Sequence, residues 1–155
     1  MSYYAKKAEI NYSFYQSTLR QAADDFDYIG IMSFFLEQSI EFSLRHLLSC
    51  LGVTHSSYVT IPELAKDLIS RFPDASKVQS VRDLQGELGK TLIIWENQGR
   101  YSDGFVPDLS IMDRADAAYK ALTAMYRVLR NANLPQIKED YTSKFEQFVS
   151  TRTPN

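Results

Sequence analysis

A chain of 155 residues is the size of one folded domain, and at that length roughly two thirds of the unfolded surface can be buried, so a core needs no disulfide or metal. With 45% hydrophobic and 23% charged residues, the composition excludes a disordered chain. A formal net charge of −2 excludes a global basic field that would attract nucleic acid, so any phosphate contact has to be a local site.

Helical periodicity runs through the chain. Ala8, Tyr12, Tyr15, Leu19 and Ala22 recur at spacings of three and four and predict a helix over roughly residues 3–23. Asp24 and Asp25 form a polar break that can cap the next helix. That next segment is the most apolar. Ile40, Leu44, Leu47, Leu48 and Leu51 make one stripe, and Phe34, Phe35 and Phe42 widen it, so protein should cover more than one face of a helix at about 26–51. Gly52 stands where a left-handed cap would end it.

Residues 52–59 read as a loop. Thr60-Ile61-Pro62-Glu63 has the capping-box pattern with proline in the first turn, and a short helix through Glu63–Arg71 should come next, before Pro73 and Asp74 break the chain. Val81, Leu84, Leu88, Leu92 and Trp95 predict one continuous helix ending near Gly99, with Trp95 in the core. Gly86 and Gly89 lie inside it, where each costs about 1 kcal/mol against alanine; close approach of a neighbouring helix is the expected reason.

Residues 99–110 form an irregular loop, and Ser110 offers an N-cap with Asp113 three residues on. Ala115, Ala118, Tyr119, Leu122, Met125, Tyr126 and Leu129 mark the next helix, ended by Asn131, Asn133 and Pro135. A last amphipathic helix carries Ile137, Tyr141, Phe145 and Phe148. No segment alternates like a strand. The expectation is one all-α domain over residues 1–155, an antiparallel helical bundle of five to six helices with short connections. Aromatic residues make up 13% of the chain and are expected in the core or at a subunit interface.

The lone cysteine, Cys50, allows no disulfide within one chain and fits a reducing compartment. The N-terminal MSYYAKKAEINYSFY lacks the apolar stretch of a signal peptide, and no apolar run approaches a membrane span. The expected location is the cytoplasm. His46, read as a helix-surface residue, and His55, read as a loop residue, are the two histidines, and no acidic residue or cysteine stands at a metal-like spacing from both, so neither metal nor cofactor is expected.

The run from Phe35 to Leu48 is similar to the second helix of HEPN domains (higher eukaryotes and prokaryotes nucleotide-binding), with Gln38, Glu41 and Arg45 at the polar positions and Gly52 following. His55 and Pro62-Glu63-Leu64 resemble that family's loop and short third helix, and Arg100-Tyr101-Ser102-Asp103 resembles the Arg-Tyr-Pro-Asp signature of one of its branches. The resemblance covers roughly residues 28–130. It implies a helical bundle, a homodimer through long helices, and a nucleotide, RNA or a nucleotidyltransferase as partner, in some cases within a toxin–antitoxin pair. Catalytic members of the family carry an arginine followed after four to six residues by a histidine. Arg100 is followed by YSDGFVPD, which holds none.

Chemistry points the same way. Cleavage of RNA through its 2′-hydroxyl needs a group that exchanges protons near neutral pH, and histidine is suited to that. Arg100 can hold a phosphate but cannot shuttle a proton. The sequence therefore carries no catalytic residue set. The candidate ligand groove comprises Arg100, Tyr101, Asp103, Glu41, Glu96 and Asn97. In it Arg100 reads a phosphate, Tyr101 stacks on a base, and Glu41 faces them from the second helix. The competing readings are an Arg100 paired with Asp103 or Glu96 that locks the loop, and a solvated Glu37–Glu41–Arg45 face. Two other functions stay open: a dimerisation or adaptor domain with no nucleotide role, and an atypical metal-independent ribonuclease using Glu41 or His55.

Overall fold

The computed structural model describes residues 2–22, 28–101 and 104–131. The last amphipathic segment, the Asp24-Asp25 break and Asp103 lie outside them. The described residues form six α-helices and one 3-10 turn, with no strand among them. They are α1 (Tyr3–Ala22), α2 (Tyr28–Cys50), α3 (Ile61–Arg71), the 3-10 turn Pro73–Lys77, α4 (Gln79–Leu84), α5 (Glu87–Tyr101) and α6 (Leu109–Asn131). No described helix is long and apolar enough to cross a membrane.

α2 is the central helix, and 15 of its 23 residues are buried. Leu36, Ile40, Leu44, Leu47 and Leu48 are each at most 1% exposed, a burial that stabilises the fold by about 1.5–3 kcal/mol per side chain. Two of its buried serines satisfy their hydroxyls within the helix: Ser33 donates to the Gly30 carbonyl and Ser39 to the Leu36 carbonyl, both at 2.6 Å.

α1 lies antiparallel on α2, with Tyr4 stacked on Phe42 and Phe14 tilted against Phe35. α5 also runs antiparallel to α2, its Gly99 facing Gly30. α6 closes the bundle: Tyr119 stacks on Tyr12 of α1 at 4.0 Å, and Tyr126 approaches His46 of α2. The Tyr12 hydroxyl donates to the Asp116 carboxylate at 2.6 Å.

The helix ends follow local chemistry. After α2, the Val53 amide bonds to the Leu48 carbonyl and the Gly52 amide to the Ser49 carbonyl, with Gly52 at φ +80°. That is the Schellman geometry, which glycine adopts without a Cβ penalty. Before α3, the Glu63 carboxylate accepts from both the Thr60 amide and the Thr60 hydroxyl, and Pro62 sits in the first turn.

Two expectations are corrected. The helix anticipated from Val81 through Trp95 is two helices, because the chain turns at Gln85–Gly86. The amides of Gln85 and Gly86 bond back to the Arg82 and Asp83 carbonyls, and the Gly86 carbonyl then accepts from Lys90 to start α5. Gly86 is thus a junction, not an interior position. Gly89 is a close approach: a Cβ there would lie 1.9 Å from the Leu84 carbonyl oxygen and 2.8 Å from Pro62 Cγ. At the start of α6 the cap is Asp108 rather than Ser110. The Asp108 carboxylate accepts from the amide and the hydroxyl of Ser110, and its own carbonyl accepts from Met112.

Candidate functional site

The antiparallel pairing of α2 and α5 brings together residues almost sixty positions apart in the chain. Gly99 permits it. A Cβ at Gly99 would lie 2.6 Å from the Gly30 carbonyl oxygen and 2.8 Å from Ser33 Oγ, so the two backbones can cross closely only without that atom. One turn further back on α5, Glu96 faces Glu37 and Glu41 of α2. One carboxylate oxygen from each of the three lies within 4.8 Å of the others.

This cluster is largely withdrawn from water. Glu37 is 1% exposed and Glu41 and Glu96 are half-buried. Burial, reinforced by the neighbouring Glu41 charge, pushes the Glu37 carboxyl well above the ordinary carboxylate range. Burial also raises Glu41, against the opposing pull of Arg45. Gln38 donates to Glu37 at 2.6 Å. The three oxygens are spaced as ligands of a cation could be, but Arg45 Nε already meets Glu41 at 3.3 Å. A proton on Glu37 fits its burial beside Glu41 better than a bare charge does.

Arg45 is only 5% exposed and its guanidinium is fully engaged. Besides Glu41 it donates to the backbone carbonyls of His55, Ser56 and Val59 at 3.1–3.3 Å. It thereby ties the loop after α2 to the bundle. The same loop is held at its other side by His55, whose Nε2 lies 2.6 Å from Asp67, which also accepts from Arg71 at 2.8 Å.

Arg100 and Tyr101 stand at the exposed end of α5. The Arg100 guanidinium lies 5.6 Å from the Phe34 ring centroid and 5.0 Å from that of Tyr101. Those are cation–π distances. Tyr101 itself is 72% exposed. Among the described residues no ion pair joins Arg100 to Glu96.

Of the residues anticipated for the groove, the fold thus gathers Glu41 and Glu96 in one cluster and sets Arg100 and Tyr101 one turn beyond it. Asn97 points elsewhere: it is exposed and its amide reaches only the Ile93 carbonyl of its own helix, at 3.5 Å. Asp103 lies outside the described residues.

Sequence reasoning had the Glu37–Glu41–Arg45 face but not its burial. The available signal was the width of the α2 apolar face, which calls for protein cover on more than one side of the helix. His46 is likewise buried rather than on the surface. It is 8% exposed, its Nδ1 is 2.7 Å from Ser2 Oγ, and its Nε2 lies 4.0 Å from Cys50 Sγ. Burial pushes its imidazole down to about 4. No protein-family model, curated protein or solved structure matches this chain.

Proposed function

We propose that the chain is a non-catalytic, HEPN-like binding module that works as a homodimer and recognises a nucleotide, RNA or a nucleotide-handling protein at the α5 end. The observation that carries this reading is the Arg100 guanidinium, on an exposed residue, within cation–π distance of both the Phe34 and the Tyr101 rings. An arginine held in this way is oriented before a ligand arrives, and an exposed tyrosine beside it offers a stacking surface for a base. The all-helical bundle is compatible with the family resemblance and gives it no further weight.

The test is equilibrium binding of labelled nucleotides and short single-stranded RNA at two salt concentrations, with Arg100→Ala and Tyr101→Ala as variants. Salt-sensitive binding that both substitutions weaken is expected. Absence of binding by the folded wild-type protein would sink the direct nucleotide reading.

One observation favours a second reading, an adaptor with no nucleotide role. Glu96, which clusters with Glu37 and Glu41, stands one turn before Arg100 on α5, and an acidic group there disfavours a phosphate at Arg100. In that case Arg100 and Tyr101 would serve as anchors for a protein partner, a role in which both residue types are common.

A further inference from the structure

The seam between α2 and α5 carries two different arrangements one turn apart. At one level Glu37 and Glu41 of α2 meet Glu96 of α5, with one oxygen of each within 4.8 Å of the others. At the next level the Arg100 guanidinium of α5 lies 5.6 Å from the Phe34 ring centroid of α2. Phe34 comes one turn before Glu37, and Glu96 one turn before Arg100. On both helices, then, the acid and the Arg100 level are neighbours on one face, about 5–6 Å apart at Cβ. The close crossing of Gly99 over Gly30 and Ser33 holds the two levels in register.

Glu37 is the innermost of the three acids, 1% exposed and bonded by Gln38 at 2.6 Å. The charged groups around it are few. On its own helix stand Glu41 and Arg45, which pair with each other at 3.3 Å, and Arg45 is also committed to three loop carbonyls. From α5 come Glu96 and, one turn on, Arg100. α1 brings Lys7 as far as the Phe42 ring, 5.3 Å from its centroid. α6 meets α2 at His46, about two and a half turns further along. On α3, Asp67 is taken up by His55 and Arg71. No cation in this set is both close to Glu37 and uncommitted, so a carboxyl buried beside two others holds its proton, in keeping with the raised value.

We infer that the Glu37 carboxyl regulates the Arg100 site through a proton: the site holds an anion more tightly while Glu37 is protonated, and an anion arriving at Arg100 draws a proton from solvent onto the three-carboxylate cluster. The sign is fixed by electrostatics. An anion at Arg100 is a negative charge one turn from the cluster, so it makes ionisation of Glu37 harder. By linkage, ionisation of Glu37 weakens the anion by the same factor. For unit charges about 8–10 Å apart near a protein surface that factor is about fivefold. Glu96 lies between the two levels and transmits the effect whichever acid of the cluster holds the proton. The inference rests on the reading of Arg100 as an anion site and adds its regulation.

The experiment is calorimetric binding of a short single-stranded oligouridylate with hydroxyl ends to the full chain, from mildly acidic to mildly alkaline pH. Its phosphodiesters keep a constant charge over that range, whereas a terminal phosphate would itself titrate. Each pH is run in two buffers of different ionisation enthalpy, which reads the protons taken up on binding. The variant is Glu37→Gln, with its thermal midpoint recorded at every pH. The wild type should bind about fivefold more weakly once pH has risen through the Glu37 titration, with net proton uptake inside that window. Glu37→Gln should show neither the fall nor the uptake. Wild-type binding without proton uptake overturns the inference whatever the variant does, and so does a fall of the same size in a folded Glu37→Gln. Either result leaves Arg100 standing as the ligand site. A folded wild type that binds nothing at any pH removes the Arg100 reading and its regulation together.

Discussion

Gly99 of α5 approaches Gly30 of α2 so closely that a Cβ on Gly99 would sit 2.6 Å from the Gly30 carbonyl oxygen. The atom in the way belongs to the backbone, so it cannot swing aside as a side-chain tip would. Gly99→Ala should therefore destabilise the protein by about 1–3 kcal/mol through overpacking, read as a lower urea midpoint with an unchanged slope. A midpoint equal to wild type would show that the α2–α5 crossing is looser than the structure places it.

Arg45 offers a second prediction, since one buried guanidinium serves a carboxylate and three loop carbonyls. Arg45→Met keeps most of the stem and deletes every one of those bonds. It should cost about 3–5 kcal/mol, because Glu41 and the carbonyls of the loop are left without their donor. Adding Glu41→Gln should recover part of the loss. A loss in the double variant equal to the sum of the two single losses would rule out coupling between the pair.

The Glu37 carboxyl predicts a pH dependence. Its folded-state value is raised well above the ordinary carboxylate range by burial and by Glu41. Between the unfolded and folded values the native state binds more protons than the unfolded one, so stability falls as pH rises through that window. The slope from one group is at most about 1.4 kcal/mol per pH unit. Glu37→Gln removes the titration and keeps the shape. It should flatten the fall in thermal midpoint as pH rises above the ordinary carboxylate range, and a profile parallel to wild type would refute the assignment.

His46 works in the opposite direction. Burial lowers its imidazole from 6.5 to about 4, so the folded protein holds it neutral. Below pH 6.5 the unfolded chain takes up a proton that the folded chain refuses, and stability is lost as pH falls toward 4. The change is a few kcal/mol at the rate of about 1.4 kcal/mol per unit. The Nδ1 and Nε2 resonances followed by nitrogen-15 NMR across that range should remain those of a neutral ring until about pH 4. Protonation near 6.5 would mean that the ring is open to water.

Arg100 lies on the surface and its contacts are with aromatic rings. Arg100→Ala should leave the thermal midpoint almost unmoved, since surface substitutions of this kind stay within about 0.5 kcal/mol. Any loss of binding in that variant then reports on recognition and not on folding. A large drop in midpoint would make Arg100 a structural residue.

How far the structure could be read in advance depended on the range of the interaction concerned. The left-handed Gly52 cap and the Thr60–Glu63 cap involve atoms within a few positions of each other, and both were legible. The turn at Gln85–Gly86 was not, because Val81, Leu84 and Leu88 keep their helical spacing across a junction that packing against Pro62 and the end of α4 imposes. The Asp108 cap was missed for a smaller reason: Asp108 and Ser110 are both good capping residues two positions apart, and only the path of the preceding loop chooses between them.

By itself the sequence determined an all-helical chain, the stripes that make its core, and a Glu37–Glu41–Arg45 row at spacings of four, because helical periodicity and capping are local properties of the backbone. It also put Arg100 and Tyr101 side by side just past a helix expected to end near Gly99, where α5 in fact continues through Tyr101. Only the tertiary structure decided that this row is buried, that Glu96 completes a three-carboxylate cluster with it, and that Phe34 backs the Arg100 guanidinium. Burial of a charged row depends on which helix lies across it, and that contact is made by α5, nearly sixty residues away along the chain, through a crossing that the missing Cβ of Gly99 permits.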